Sequence, residues 1–599
     1  MPNLNNRSSF WQNLVAPFSV DLRTLALFRV CFGFILIGDL VTRASALSAH
    51  YTDDGLWPRE AAAAAMQEFG FSIHLLGGSA AFQVCLFLLA GLLAVLLIVG
   101  YRTQLVSVLC WLMLASLNHR NYFILQSSDT LMLALLFWSL LLPLGARWSV
   151  DAALDPHPPQ QASICNFASA ALVLQVLSVY FFGALLKTGD AWRVTGDAVH
   201  VTLHYSSYAS PLGVWLAEWL PAEALRGLTW YTWYIELWGP ILVLLPWCYQ
   251  HIRFVIVPAL ILLHLGIASL VEVGIYPYLS ITSLLLLVPT RFWDLLKARV
   301  ATPERLGVTS YYDANCEFCR KICLLLRTFW LLNSTPIKPA QEHHEIGPLL
   351  EAENSWVVVD HDGQRYLRWA GMLVLLRRSW LLWPVAGLFH WPPLRTIGEC
   401  CYAWVANHRE SLGRITAVLL PCRSPPFRLS LVPNLTMGFL MVLVLWLNIA
   451  KLRDVEIDYP WSFTRLTSAL LLNQYWTMFA PEPGRISHWL FVDGELAGGR
   501  RVDAVALRFT PSDLATPEDG SGYFDGFRWR KYFSEGRIEP RWPYLSAYYC
   551  RRWNRLHPDQ PIQRVFGYLL VERTRIGIYA GEAQWQRKVR SLGAANCPA

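Results

Sequence analysis

Charge is what this chain has least of. Only 16% of its 599 residues are Asp, Glu, Lys or Arg. There is no dense run of basic residues, and the net charge of +7 is spread thinly along the chain. That excludes nucleic acid as a partner recognised through a basic patch. The polar N-terminus lacks the pattern of a cleavable signal. No internal repeat is visible, so a solenoid or propeller is excluded. The thirteen cysteines show no regular disulfide framework. Several of them (Cys31, Cys85, Cys110, Cys165, Cys248) fall in apolar runs, where a small buried hydrophobe is the default expectation.

Apolar residues are abundant. They make up 54% of the chain, and the mean hydropathy is +0.33. Apolar runs near membrane-spanning length recur at about 23–42, 81–100, 104–118, 128–145, 165–187, 228–248, 252–271, 274–290 and 431–450. They predict a multi-pass α-helical membrane bundle of about nine spans. The 28 tryptophans suit two long membrane interfaces. A chain of this length also holds more than one domain. The first eight runs define a membrane module over 17–290, and the ninth is a last span. Residues 455–599 alternate aromatic and polar positions, as in Trp489-Leu490-Phe491-Val492-Asp493-Gly494. They predict a mainly-β domain with a helix over about 544–556.

The excess of Arg and Lys from Arg291 to Arg305 marks a cytoplasmic loop. It places the N-terminus and residues 307–412 in the cytoplasm and the C-terminal domain outside it. Arg43, Arg59, Arg120 and Arg193 then fall on the outer side, against the rule.

One local motif carries chemistry on its own. Cys316-Glu317-Phe318-Cys319 follows a short strand predicted over 308–312 and precedes a helix predicted over 322–330. A cysteine at a helix N-terminus gains thiolate character from the helix dipole, and a second cysteine three residues on can resolve a mixed disulfide. A zinc half-site would need a second ligand pair, and His343-His344 and Cys400-Cys401 have the wrong spacing. A purely structural pair stays open. With Asp313 ahead of the pair, the segment resembles the DCC family of thiol-disulfide oxidoreductases, although Ala314 stands where that family usually has Gly. Residues 356–363 resemble the family's second hairpin, and 402–409 its closing helix. The resemblance implies an inserted thioredoxin-like α/β domain over 307–412 with a redox-active disulfide.

Lys187 is the most notable charge near an apolar run. It ends Tyr180-Phe181-Phe182-Gly183-Ala184-Leu185-Leu186. An ammonium against apolar walls loses hydration, which favours a neutral amine able to act as a base. Considered alone, the position better suits a lysine reaching for lipid headgroups. Residues 17–290, however, resemble the HTTM module shared with vitamin K-dependent γ-carboxylase. Leu25 to Val30 with Gly33 and Asp39, Tyr51 to Gly55, Asn121, Asp129, and above all Tyr180, Lys187, Trp192 and Gly196 carry the likeness. By resemblance Lys187 is the base that deprotonates a reduced quinone, a vitamin K-like hydroquinone, with Leu186 replacing a family lysine. The same resemblance implies O2 and CO2 as co-substrates and a secreted peptide as the carboxylated partner.

His119 and Arg120, near Asp129, are candidates for an anion or CO2 site, with a loop salt bridge the plainer expectation. Glu236 and His264 in apolar runs suggest buried pairs or ordinary bundle hydrogen bonds. Residues 474–483, 528–532 and 548–554 resemble the tails of HTTM–DCC fusions, an arrangement of bacterial character that points to an inner membrane. Three functions stay open: a quinone-dependent membrane enzyme with a redox domain; a membrane-anchored oxidoreductase whose spans are scaffold; and a maturation or export partner for a secreted peptide.

Overall fold

The computed structural model describes residues 4–597 apart from 67, 333, 453–456, 458, 516, 518–519, 534–537 and 574–586. Each predicted apolar run forms helix. The helices are α1 (Leu22–Ala44), α2 (Ala80–Val99), α3 (Thr103–Arg120), α4 (Ser127–Ser139), α5 (Phe167–Leu186), α6 (Ala222–Leu242), α7 (Tyr249–Leu270) and α8 (Tyr276–Leu284). Among the described residues, five helices are long and apolar enough to cross a membrane: α1, α2, α5, α7 and Leu431–Ala450. A sixth is added if Tyr276–Leu287 and Thr290–Val300, bent by 84°, count as one. Two reasons keep the other helices out: α4, with 13 residues, is short, whereas α3 and α6, with 18 and 21, are long enough but carry too many polar residues along their length.

Helix ends follow local chemistry. Asp21 caps α1, its carboxylate accepting from the Arg23 N–H at 2.8 Å. Asn166 and Ser169 cap α5 reciprocally. Gly100 ends α2 at φ +68°, and a Cβ there would sit 1.9 Å from the Arg29 guanidinium. α5 is the central helix, with most of its length buried. The apolar cysteines divide: Cys110 is buried, but Cys85, Cys165 and Cys248 are exposed on the outside of the bundle. The expectation of burial fails for those three because apolar outer surface is what a bilayer solvates.

Residues 309–419 form a separate sheet-and-helix unit. Its strands are β1 (Thr309–Tyr312), β2 (Ile337–Pro339), β3 (Val357–Val359) and β4 (Arg365–Leu367), in the order β2-β1-β3-β4. β1 and β2 are parallel, joined across α9 (Glu317–Phe329); β3 and β4 form an antiparallel hairpin. α10 (Arg368–Arg378), α11 (Pro392–Asn407) and α12 (Arg409–Leu419) follow, and α13 (Leu431–Ala450) returns to the bundle.

The C-terminal unit has β5 (Ile486–Leu496), β6 (Arg501–Asp503), β7 (Ile562–Arg573) and β8 (Arg587–Asn596) in one antiparallel sheet, order β8-β7-β5-β6. Helices α14 (Phe527–Phe533) and α15 (Trp542–Leu556) accompany it, α15 lying against β7. A disulfide between Cys550 and Cys597 ties α15 to the end of β8.

The two units sit at opposite ends of the bundle. Trp148 and Trp293 share a cavity of about 110 Å³ with Leu331, Leu332, Arg378 and Trp380 beside Arg23 at the start of α1. At the other end of α1, Arg528 of α14 enters the bundle. It hydrogen-bonds Asp39, Asp129 and the Ile124 carbonyl, while Arg43 hydrogen-bonds Asp39 (2.7 Å), Asp129, Asn118 (3.0 Å) and the Tyr51 hydroxyl (2.9 Å). All four charged side chains are buried. The aromatic-basic stretch 528–532 is therefore a plug in the bundle's end, neither a headgroup contact nor a solvated rim.

Removing one partner of a buried ion pair costs about 3–5 kcal/mol, because the remaining charge stays uncompensated. Arg528→Ala is expected to lower the unfolding temperature of the purified protein and to expose residues 455–599 to limited proteolysis; an unchanged digest would count against this docking.

His50 adds a pH term at the same interface. Its ring is buried against Trp529 (centroids 4.7 Å apart) and Tyr532, and neither ring nitrogen has a protein hydrogen-bond partner. Burial, with the Arg528 and Arg43 charges nearby, holds it down to about 3. The unfolded chain therefore takes up this proton first as pH falls. Stability is full above the ordinary histidine value near 6.5 and is lost as pH drops toward 3. His74, held down to about 4, acts in the same direction. Thermal unfolding between pH 7 and 5 should show this slope, and His50→Leu should flatten part of it. An identical slope in the variant would refute the assignment.

Candidate functional site

Cys316 is the N-cap of α9, and its Sγ accepts from the Cys319 N–H at 3.1 Å. The two cysteines are joined as a disulfide. The turn is built by Asp313: its carbonyl accepts from the Cys316 N–H at 3.0 Å, and its carboxylate accepts from the Asn315 N–H and from Gln341 Nε2. Ala314 donates its N–H to Gln341 Oε1 at 2.9 Å and is not among the residues with positive φ, so the missing glycine costs no strain. The helix starts five residues earlier than the sequence suggested, which puts Cys316 directly on its first turn.

Beside Cys319 lies an apolar groove of about 240 Å³. Ile322 and Leu326 of α9, Trp356, Trp369, Met372, and Tyr402 of α11 form its walls. Asp313 and Arg409 stand at its rim, 3.8 Å apart. The other thiol on α9, Cys323, is fully enclosed, and burial pushes it up to about 12. His343 packs edge-on against the Tyr311 ring. Among the described residues, Asp360, His361 and Asp362 bring ligand-type atoms together, but Asp360 is already paired with Arg378 at 2.7 Å.

The second candidate site is the corner after α5. Lys187 caps the end of α5 and is only 4% exposed. Its Nζ contacts the Glu236 carboxylate of α6 and lies 4.7 Å from the centre of the Trp192 ring. The picture of a lysine reaching for headgroups is thus replaced by a buried ion pair. The isolated lysine between apolar walls is corrected as well. The reason is α6, which crosses α5 and presents Glu236 from 49 residues away. Two turns deeper, the Tyr180 hydroxyl and His264 Nε2 are 2.9 Å apart.

Trp192 is fixed by its Nε1, which donates to the Phe479 carbonyl at 2.9 Å. Gly189 N–H donates to the Pro481 carbonyl, and Ala191 N–H to Glu482. Gly196 has φ +75°, and a Cβ there would lie 2.9 Å from Trp230 Nε1. Residues 474–483 thus cover the corner. They are anchored below by an amide pair, Gln175–Gln474, which also receives Trp138 Nε1 and Trp476 Nε1. From sequence a buried pair with His or Lys was one option for Glu236, with an ordinary bundle hydrogen bond preferred; the structure makes it the pair with Lys187. The tail's role as a cover was not visible in any spacing.

His119 and Arg120 do not join this corner. Arg120 is buried and donates to the Trp57 carbonyl at 2.7 Å, while Asp129 is taken by Arg43 and Arg528. The expected loop salt bridge to Asp129 is replaced by backbone contacts that pin the first loop. His119 faces Phe71.

After reduction, the helix N-terminus should make Cys316 the faster-alkylated thiol across pH 6–9, with Cys323 silent throughout because its thiol is buried. Peptide mapping of iodoacetamide adducts checks both. Faster reaction at Cys319 would reverse the roles of the pair.

Two family models match the chain: an HTTM domain over residues 18–292 and a DCC1-like thiol-disulfide oxidoreductase over residues 310–415. No curated protein and no solved structure matches it. With the membrane-length helices in the first region and the Cys316–Cys319 disulfide in the second, the chain is an HTTM-domain membrane protein that carries a DCC1-like thiol-disulfide oxidoreductase domain.

Proposed function

We propose that this protein is a two-site membrane enzyme. Its DCC1-like domain exchanges thiols and disulfides through Cys316 and Cys319. Its HTTM domain uses the Lys187–Glu236 pair to accept a proton from a reduced quinone. The observation that carries the second part is the burial of Lys187 against a carboxylate and an indole, at a position matching the carboxylase's base. Charges are placed there at the cost of desolvation, and such placement is characteristic of functional sites.

In this reading Lys187 hands its proton to Glu236 and, as the neutral amine, takes the hydroxyl proton of the quinol. Trp192, Trp233 and Phe479, which pack together, fit the face of an aromatic ring. The tail cover at 479–482 excludes water from the exposed anion. A reduced quinone supplies, when bound, an acidic hydroxyl and two electrons. Carboxylation of peptide glutamate with O2 and CO2 is the γ-carboxylase version of this chemistry, and it belongs to the proposal through resemblance alone.

The proposed topology has the N-terminus and the DCC1-like domain in the cytoplasm of a bacterial inner membrane and residues 455–599 outside. In it α3, α4 and α6 complete the crossing together with the longer helices, nine spans in all. The Cys550–Cys597 disulfide supports this orientation, since structural disulfides persist in oxidising compartments. On intact cells, an impermeant maleimide should label Cys597 only after an external reductant, and should leave Cys316 unlabelled; labelling of Cys316 from outside would invert the topology.

The proton-acceptor reading is checked in nanodiscs with a reduced naphthoquinone and an oxygen electrode. Lys187→Ala, Lys187→Arg and Glu236→Gln should each lower quinol oxidation by about 10²–10⁴-fold, the usual contribution of general acid–base groups. A guanidinium stays protonated and cannot accept the proton. Thiol exchange at Cys316 should continue in all three. A Lys187→Arg protein with full turnover would remove the reading.

A further inference from the structure

The DCC1-like domain exposes a large apolar surface on one side. On α11, Ile397, Cys400, Cys401 and Trp404 are exposed at spacings of three and four, so they form one stripe. On α12, Ile415, Val418 and Leu419 do the same, with Val418 75% exposed. Trp391 opens the first helix, 63% exposed. A water-facing domain surface rarely carries a contiguous apolar area of this kind without a partner.

Two observations indicate what that partner is. First, the stripe ends at the bundle: the Tyr101 hydroxyl, directly after α2 ends at Gly100, donates to the Leu419 carbonyl at 2.8 Å. Val418 and Leu419 therefore stand level with the end of a membrane-length helix. Second, residues 391–428 hold five arginines (Arg395, Arg409, Arg414, Arg423, Arg428) and only two acids, Glu399 and Glu410. Arg414, Arg423 and Arg428 are exposed, Arg414 at the edge of the α12 stripe, while Arg395 lies on the opposite face of α11. An apolar helical face with arginine at its edge and tryptophan among its residues fits the boundary between acyl chains and anionic headgroups.

We infer that α11 and α12 lie in the bilayer surface and bind it as an interfacial anchor, with anionic phospholipid as the occupant of the stripe. The anchor carries a consequence for the redox site. Cys401 belongs to the exposed stripe and also lines the groove beside Cys319. Tyr402 and Val405, next to it on α11, line the same groove. Seating α11 on lipid therefore seats that groove at the membrane surface, within reach of membrane-borne partners.

The test uses the full chain in nanodiscs containing phosphatidylglycerol. Benzoylphenylalanine replaces Ile397, Trp404 or Val418 one at a time, with Glu351, exposed on another helix of the domain, as the control position. Each protein is first checked for thiol exchange at Cys316, so that a misfolded variant is set aside and the other two positions carry the result. After illumination, mass spectrometry should find phospholipid adducts at the stripe positions and none at Glu351. Absence of lipid adducts at all three stripe positions overturns the inference. Cross-links to a second copy of the chain or to another protein, in place of lipid, overturn it equally and assign the stripe to a protein interface.

Discussion

Four charges hold one end of this molecule together. Asp39 and Asp129 come from two bundle helices, Arg43 from the same helix as Asp39, and Arg528 from a helix 489 residues further along the chain. With Arg43 alone the bundle would bury two carboxylates against one guanidinium. Arg528 brings the cluster to neutrality, and a low-dielectric site tolerates little else. Residues 455–599 are therefore not an appendage. The bundle needs their arginine to be electrostatically complete, and α14 is held in one place and one orientation. Arg530 extends the same seam, donating to the carbonyls of Ser207 and Glu272 from other connections of the bundle.

That fixed docking accounts for the Lys187 corner. Once the tail is held at 528–530, the segment before it runs back over the end of α5. Its backbone carbonyls at Phe479 and Pro481 receive Trp192 Nε1 and the Gly189 N–H. Deeper, Gln474, in the extended segment after the helix that ends at Ala469, pairs with Gln175 of α5, an amide contact that ties this segment to the bundle. The Lys187–Glu236 pair is thus enclosed by three distant parts of the chain: α5, α6 and the tail. A lysine at a helix end would ordinarily turn toward water; here Glu236 and Trp192 occupy the directions it would take.

The parts of this that were legible in the sequence are the local ones. A C-x-x-C pair after a strand and before a helix fixes its own geometry within five residues, and Asp313, Cys316 and Cys319 fall where the spacing put them. The β-domain's helix, expected over 544–556, forms over Trp542–Leu556. Apolar runs reported helices correctly, and five or six of them are long and apolar enough to cross a membrane on their own. The bend after Leu287 and the early end of α4 depend on neighbours rather than composition. Pairings over long separations left little trace: a buried partner for Glu236 was only one option, and Arg528 with Asp39 and Cys550 with Cys597 left none. Thirteen cysteines allow too many partners for spacing to choose among them.

The separation of the two sites limits how they can cooperate. α1 alone, 23 residues long, spans about 35 Å at 1.5 Å per residue, and the disulfide domain and the C-terminal domain sit at its opposite ends. Lys187, covered by the C-terminal segment, belongs to the latter end. Among the described residues the bundle between the two ends is packed largely with apolar side chains, and no thiol other than Cys316 and Cys319 stands next to either site apart from the buried Cys323 and Cys401 of the groove. Any chemistry that joins the sites must travel by a carrier soluble in the bilayer, loaded at one end and discharged at the other. Such a carrier has to be apolar, small and able to hold two electrons with two protons, because the dithiol–disulfide step releases both together. The groove beside Cys319 is lined almost wholly by apolar side chains, and the corner around Lys187 brings Trp192, Trp233 and Phe479 together, so both ends of the bundle offer apolar surroundings to such a carrier.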